Sequence, residues 1–148
     1  MNLFFDTSAL IKFFHEEEGT ETVTGIITDD ENKVFVSELT RIEFLSALHR
    51  RYRNKELNEH SLADAIRGFN EEYIHFHVEP LGSAIVHEAE NLVKDYGKTH
   101  GLRTLDALHL ATFILIKEDD WFFVACDDNL INTAKANGAA VFNPVKRT

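Results

Sequence analysis

A chain of 148 residues, 44% of them hydrophobic and twelve of them Phe, is the size of one domain and apolar enough to bury a proper core rather than remain disordered. One cysteine excludes an internal disulfide, and no apolar run approaches the roughly 18 residues a membrane-spanning helix needs. A net charge of −10 argues against non-specific duplex binding, which draws on basic surfaces, but it is compatible with a nuclease whose clustered carboxylates are offset by bound divalent ions.

The chain alternates between short apolar runs and helical stretches. Residues 2–5 read as a strand and meet Asp6 at once, with no signal-type apolar region, so the expectation is a soluble, cytoplasmic protein. Residues 7–14 are helical in composition, 21–28 form a second short helix, and the acidic turn around Asp29 leads into a strand at 34–36. Ser37 is expected to cap a long helix reaching Arg53, and Asn58 or Ser61 to open another reaching Tyr73. Residues 75–78 alternate like a strand stopped by Pro80; 83–96 form a helix that Gly97 and Gly101 break. Thr104 is expected to cap an apolar helix to Lys117, followed by a strand at 121–126, a helix at 129–136 and a last strand at 140–142. Strands separated by helices imply parallel crossovers and an α/β fold, a three-layer α/β/α sandwich with a mostly parallel central sheet, as one domain over residues 1–148.

Within that frame the acids have unusual addresses. Asp6 and Asp127 directly follow apolar strand-like runs and precede helices, which places both at the carboxyl edge of a parallel sheet, where ligands of such folds bind. Asp106 falls in the first turn of an apolar helix; alone it would merely complement the helix dipole, but at the same edge it faces the same crevice. Carboxylates converging there repel one another unless cations bind among them. Oxygen-only ligands favour a hard ion such as Mg²⁺ or Mn²⁺, and phosphodiester hydrolysis by a metal-activated water is the natural chemistry. Two basic groups, one of Arg50, Arg51, Arg53 and Lys55 and one of Lys98, His100 and Arg103, are either phosphate contacts or solvated helix ends. Glu43 lies on a helix with apolar residues nearly all round, so an Arg50 partner and a metal-site role are equally open. His75 and His77 lack the further ligands of a zinc set, His109 reads as a packed helical histidine one turn from Asp106, and Cys126 as a small buried hydrophobe. The segments around Phe44, Leu45 and Phe69 suit either a dimer seam or the core.

Four segments then resemble one family. Leu3-Phe4-Phe5-Asp6-Thr7-Ser8-Ala9-Leu10, Ser37-Glu38-Leu39-Thr40-Arg41-Ile42-Glu43, Leu105-Asp106-Ala107-Leu108-His109-Leu110-Ala111 and Phe123-Val124-Ala125-Cys126-Asp127-Asp128-Asn129-Leu130 are similar, in order and over essentially the whole chain, to the PIN domain, and within it to VapC-type toxins. The resemblance implies a Mg²⁺- or Mn²⁺-dependent ribonuclease acting on tRNA or rRNA, a homodimer neutralised by a cognate antitoxin. It implies that Asp6, Glu43, Asp106 and Asp127 are the catalytic acids and metal ligands, and that Thr7 or Ser8 orients ligands or water. Arg103 is a further candidate for substrate contact. Asp127 is preferred to Asp128 because the family pattern places its acid three residues before a Leu, here Leu130; Ala125 stands where relatives carry a hydroxyl residue. Water attack would leave 5′-phosphate and 3′-hydroxyl ends. The alternatives are a PIN-like module that binds RNA or protein without turnover, or a DNA-directed nuclease of the same fold. A haloacid-dehalogenase-type phosphatase needs an Asp where Ser8 stands, and no Gly-rich nucleotide-binding pattern is present.

Overall fold

The structure is a computed structural model and describes residues 1–145. Among these, five strands form one sheet: β1 (Asn2–Phe5), β2 (Lys33–Ser37), β3 (His77–Glu79), β4 (Phe122–Val124) and β5 (Val141–Phe142), in the order β3-β2-β1-β4-β5 with every pairing parallel. The helices are α1 (Thr7–Leu10), continued by a 3₁₀ turn at Ile11–Phe13, then α2 (Thr20–Ile27), α3 (Leu39–Arg53), α4 (Glu59–Tyr73), α5 (Ser83–His100), α6 (Thr104–Ile116) and α7 (Asp128–Ala136).

Strand side chains alternate between faces, and both faces of this sheet are covered. Leu3 and Phe5 of β1 join Leu10, Val23, Phe44, Leu48 and Phe69 in a core beneath the first four helices. Phe4, between them, joins Phe123, Leu92, Leu110, Phe113 and Leu130 in a second core beneath α5, α6 and α7. The result is the expected α/β/α sandwich. The aromatic residues supply much of the packing: the Phe44 and Phe69 rings stack with centroids 4.1 Å apart, joining α3 to α4, and Phe4 contacts both Phe113 and Phe123. Phe44 and Phe69 are therefore core residues, while Leu45 is half-buried on α3.

Several boundaries differ from the sequence reading. Ser37 ends β2, and α3 starts two residues later, although Ser37 Oγ still accepts the Leu39 N–H at 3.2 Å. Arg103, not Thr104, holds the N-cap position of α6 and makes no side-chain cap bond. Asn58 caps α4 as expected, accepting the Ser61 N–H at 2.8 Å. Helix α5 continues through Gly97 to His100, because its buried residues Ile85, Ala89 and Leu92 hold it against the sheet and a mid-helix glycine costs only about 1 kcal/mol. It stops at Gly101, whose φ of +64° lies in the left-handed region. Strand β3 begins at His77, so His75 lies in the turn after α4 and the two histidines share no strand face; His77 instead stacks on Phe35. Among the described residues no helix is long and apolar enough to cross a membrane.

Candidate active site

The strand order places β1 and β4 side by side where the chain reverses its direction of travel across the sheet, since β2 and β3 lie to one side and β4 and β5 to the other. Asp6 is the first residue after β1. Its backbone N–H bonds Val124 O at 3.0 Å, extending the β1–β4 ladder by one rung. It also caps α1: Oδ1 accepts the Ala9 N–H at 3.0 Å, and Ser8 Oγ lies 2.9 Å from both carboxylate oxygens. Only 3% of Asp6 is exposed. Burial pushes its carboxyl up to about 6, against the pull of His109, the Ala9 N–H and Ser8, and the charge of Asp106 pushes the same way.

Asp6 opens onto a cleft of about 690 Å³ that Glu43 from α3 and Asp106 from α6 also line, along with Thr7, Ser8, Arg103 and His109. Glu43 has no Arg50 partner. Its Oε1 accepts the Thr7 hydroxyl at 2.8 Å and is also bonded to His109 Nε2, while Thr7 Oγ1 stands 3.4 Å from the same nitrogen. Burial works to raise the Glu43 carboxyl, but the bond and charge of His109 and the Thr7 bond outweigh it and hold Glu43 below its usual range. His109 is 1% exposed; burial opposes its protonation, and the Glu43 bond with the surrounding carboxylates reverses that and raises its pKa. Asp106 is half-buried in the first turn of α6 with Arg103 Nη2 at 3.4 Å. Burial raises its carboxyl; Arg103 opposes this and the charge of Asp127 adds to it.

Asp127 stands apart. It does not line the cleft, although its neighbour Cys126 does, and its carboxylate caps α7 by accepting the Leu130 N–H at 2.9 Å. Its influence on Asp106 is through charge. Asp128 begins the helix that Asp127 caps. The Cys126 thiol is half-buried, and burial, with the Asp6 charge adding to it, pushes it up to about 12, which leaves it inert as a nucleophile.

Cationic side chains line the same cleft. Arg50 and Arg51 line it, as does Lys12, whose Nζ is 3.1 Å from Glu17 Oε1; Arg51 Nη2 lies 3.9 Å from Glu17 Oε2. Neither Lys12 nor Glu17 was a sequence candidate for the site: Glu17 reads as part of the acidic run 16–18 that ends the first helical stretch, and for Lys12 a lysine inside the run Leu10-Ile11-Lys12-Phe13-Phe14 was the available signal. His109 had a clearer one, since it stands one helical turn after Asp106 and so on the same face.

Among the described residues no three His, Cys, Asp or Glu side chains are gathered into a set that would hold an ion as they stand. The chemistry of the donors nonetheless suits a hard divalent cation: the cleft carboxylates offer only oxygen, and desolvation and mutual repulsion raise Asp6 and Asp106, a cost that a bound cation removes.

Residues 3–136 match the family model of the PIN domain. The chain is 28% identical over 139 residues to ribonuclease VapC45 of Mycobacterium tuberculosis, covering 94% of this chain and 93% of that one. Among solved structures it superposes on VapC20 of Mycobacterium tuberculosis, a sarcin–ricin loop cleaving toxin, with a TM-score of 0.69 at 16% identity, covering 99% of both chains. A toxin–antitoxin complex from Klebsiella pneumoniae gives 0.67 at 17% identity over 98% of this chain and 99% of that one.

Proposed function

The chain belongs to the PIN domain family, and from that premise we propose that it is a divalent-metal-dependent endoribonuclease, one nuclease domain that acts as the toxin of a toxin–antitoxin pair. The observation that carries this reading is the cleft itself. Segments that lie far apart in the sequence bring Asp6, Glu43 and Asp106 into one cleft at the edge of the sheet, which Arg50, Arg51 and Arg103 also line. The kinship with ribonuclease VapC45 over almost the full length of both chains supports RNA as the substrate.

Asp6 and Asp106 are the residues best placed to hold a Mg²⁺ or Mn²⁺ ion, with Glu43 beside them and Asp127 contributing charge from the next loop. When bound, such an ion polarises a phosphoryl oxygen and lowers the pKa of a coordinated water. The protein groups do the rest. Asp6 is fixed in position by Ser8 and by the Ala9 N–H, and Asp106 has Arg103 beside it. Arg50, Arg51 and Arg103 supply the positive charge that a phosphate backbone needs in an otherwise acidic chain.

The same acidic floor suits a basic side chain presented by an antitoxin, in keeping with the toxin–antitoxin assembly among the structural neighbours, and the toxin would act as a homodimer in the cytoplasm. The test is cleavage of mixed tRNA and rRNA by partner-free protein with Mg²⁺ or Mn²⁺, with EDTA, and beside an Asp6→Asn control. Metal-dependent fragments with 5′-phosphate ends that vanish in the control support the reading. Folded, metal-binding protein that leaves RNA intact but cuts DNA would replace it with a DNA nuclease.

A further inference from the structure

We propose that His109 is a positioning residue for this site: its Nε2–H, together with the Thr7 hydroxyl, holds Glu43 by Oε1 and so presents Oε2 to the bound ion and substrate. The inference rests on the nuclease reading above and adds a residue to it.

Two donors from different parts of the chain meet on one oxygen. Thr7 belongs to α1, Glu43 to α3 and His109 to α6, so the contact fixes the carboxylate against two other elements of the fold rather than against its own helix. A glutamate on a helix otherwise keeps several rotamers, and each one lost before substrate arrives reduces the ordering required at the moment of reaction. Both the neutral Nε2–H tautomer and the imidazolium carry the proton that the contact needs, so the arrangement does not depend on the protonation state of His109.

A purely structural role fits the surroundings poorly. His109 sits in α6 between residues such as Ala107, Leu110, Ala111 and Phe113, all fully buried. A leucine would fill such a place without carrying polar atoms inside. Instead the imidazole leaves Nδ1 buried with no hydrogen-bond partner among the described residues, a loss that an apolar side chain would not incur. Among the described residues, the carboxylate that Nε2 meets within hydrogen-bond range is that of Glu43. Groups that orient a metal ligand in this way change metal affinity or activity by roughly 10–100-fold when removed.

The experiment compares wild type with His109→Leu, which keeps the volume and removes the donor, and His109→Gln, which keeps an N–H near the place of Nε2. Steady-state RNA cleavage, Mn²⁺ binding by titration calorimetry and the melting temperature are measured for each. His109→Leu is expected to lower kcat and Mn²⁺ affinity by about tenfold or more with KM within about twofold, and His109→Gln to recover kcat to within about threefold of wild type. Thr7→Val is expected to cost less in the His109→Leu background than alone, because both donors act on one oxygen. If His109→Leu does not fold, His109→Asn, whose amide falls short of Glu43, replaces it with the same expectation. Unimpaired kcat and Mn²⁺ affinity in the folded donor-free variant would overturn the inference, and so would a folded His109→Gln as defective as it. Wild type that neither cleaves RNA nor binds Mn²⁺ overturns the nuclease reading itself, and the inference with it.

Discussion

Asp6 is held by the fold in a state that works against the fold. Its carboxylate caps α1 and accepts Ser8, yet it is almost wholly buried and its pKa is raised from 3.8 to about 6. For an acid whose folded pKa lies above its unfolded one, the unfolded chain releases its proton first as pH rises. The contribution to stability is therefore greatest below about 3.8 and is lost progressively as pH climbs to about 6. That interval corresponds to an upper bound of about 3 kcal/mol at neutral pH. Asp6→Asn keeps an acceptor for the Ala9 N–H and removes the charge, so it is expected to stabilise the metal-free protein by about 1–3 kcal/mol at pH 7 while abolishing cleavage. Urea unfolding of both proteins in EDTA at pH 4.5 and pH 7 checks this: the gap between them is expected to open with pH. Added Mn²⁺ at about a hundred times its Kd is expected to stabilise wild type by about 2.7 kcal/mol and Asp6→Asn far less. At this scale the sequence was readable for Asp6 and Asp106, because a carboxylate at a strand end or a helix start has a definite address. For His109 only its place one turn after Asp106 was readable, and its contact with Glu43 was not. Their pairing spans 66 residues and joins two helices, and nothing local to either residue encodes it.

Three helix starts carry the acids, and this makes each acid serve two purposes. Asp6 caps α1, Asp127 caps α7, and Asp106 occupies the first turn of α6. For Asp127 the two purposes can be separated. Asn is as good an N-cap as Asp, so Asp127→Asn is expected to leave stability within about 0.5 kcal/mol of wild type, whereas Asp127→Ala loses the Leu130 N–H bond and about 1 kcal/mol. Cleavage is expected to fall by a similar factor, about tenfold, in both variants if the charge near Asp106 is what matters. Thermal melts beside initial rates decide it, and activity that tracks stability instead would reduce Asp127 to a cap. The order of strands and helices was legible because short apolar runs such as Leu3-Phe4-Phe5, buried on both faces of the sheet, are separated by helical stretches. At Gly97 tertiary packing overrode a local signal, whereas at α6 the boundary moved by a single residue. Gly97 reads as a breaker, but α5 is held by its buried face; Thr104 reads as a cap, but α6 begins with Arg103 in that position.

Across the molecule, the net charge of −10 and a polyanionic substrate are in apparent conflict. The cleft resolves it by segregation: carboxylates gather at the sheet edge, and Arg50, Arg51 and Arg103 line the same cavity. An RNA strand bound there meets few free cations, because Lys12 and Arg51 are partly engaged by Glu17 and Arg103 by Asp106. Binding should then depend only weakly on salt. Each phosphate neutralised on a single strand contributes roughly −0.7 to the slope of log K against log salt, so even all three arginines together give a slope no steeper than about −2. A protein that grips RNA through an extended basic surface would show a slope several times steeper. The measurement is fluorescence anisotropy of a short labelled RNA with the cleavage-deficient Asp6→Asn protein, across a salt series at fixed Mg²⁺. Arg50→Ala is expected to weaken binding by a similar factor for unrelated sequences and to bring the slope about 0.7 closer to zero. A slope of −5 or steeper would place the main RNA contacts outside this cleft, and a slope near zero would mean that the arginines make no phosphate contact at all.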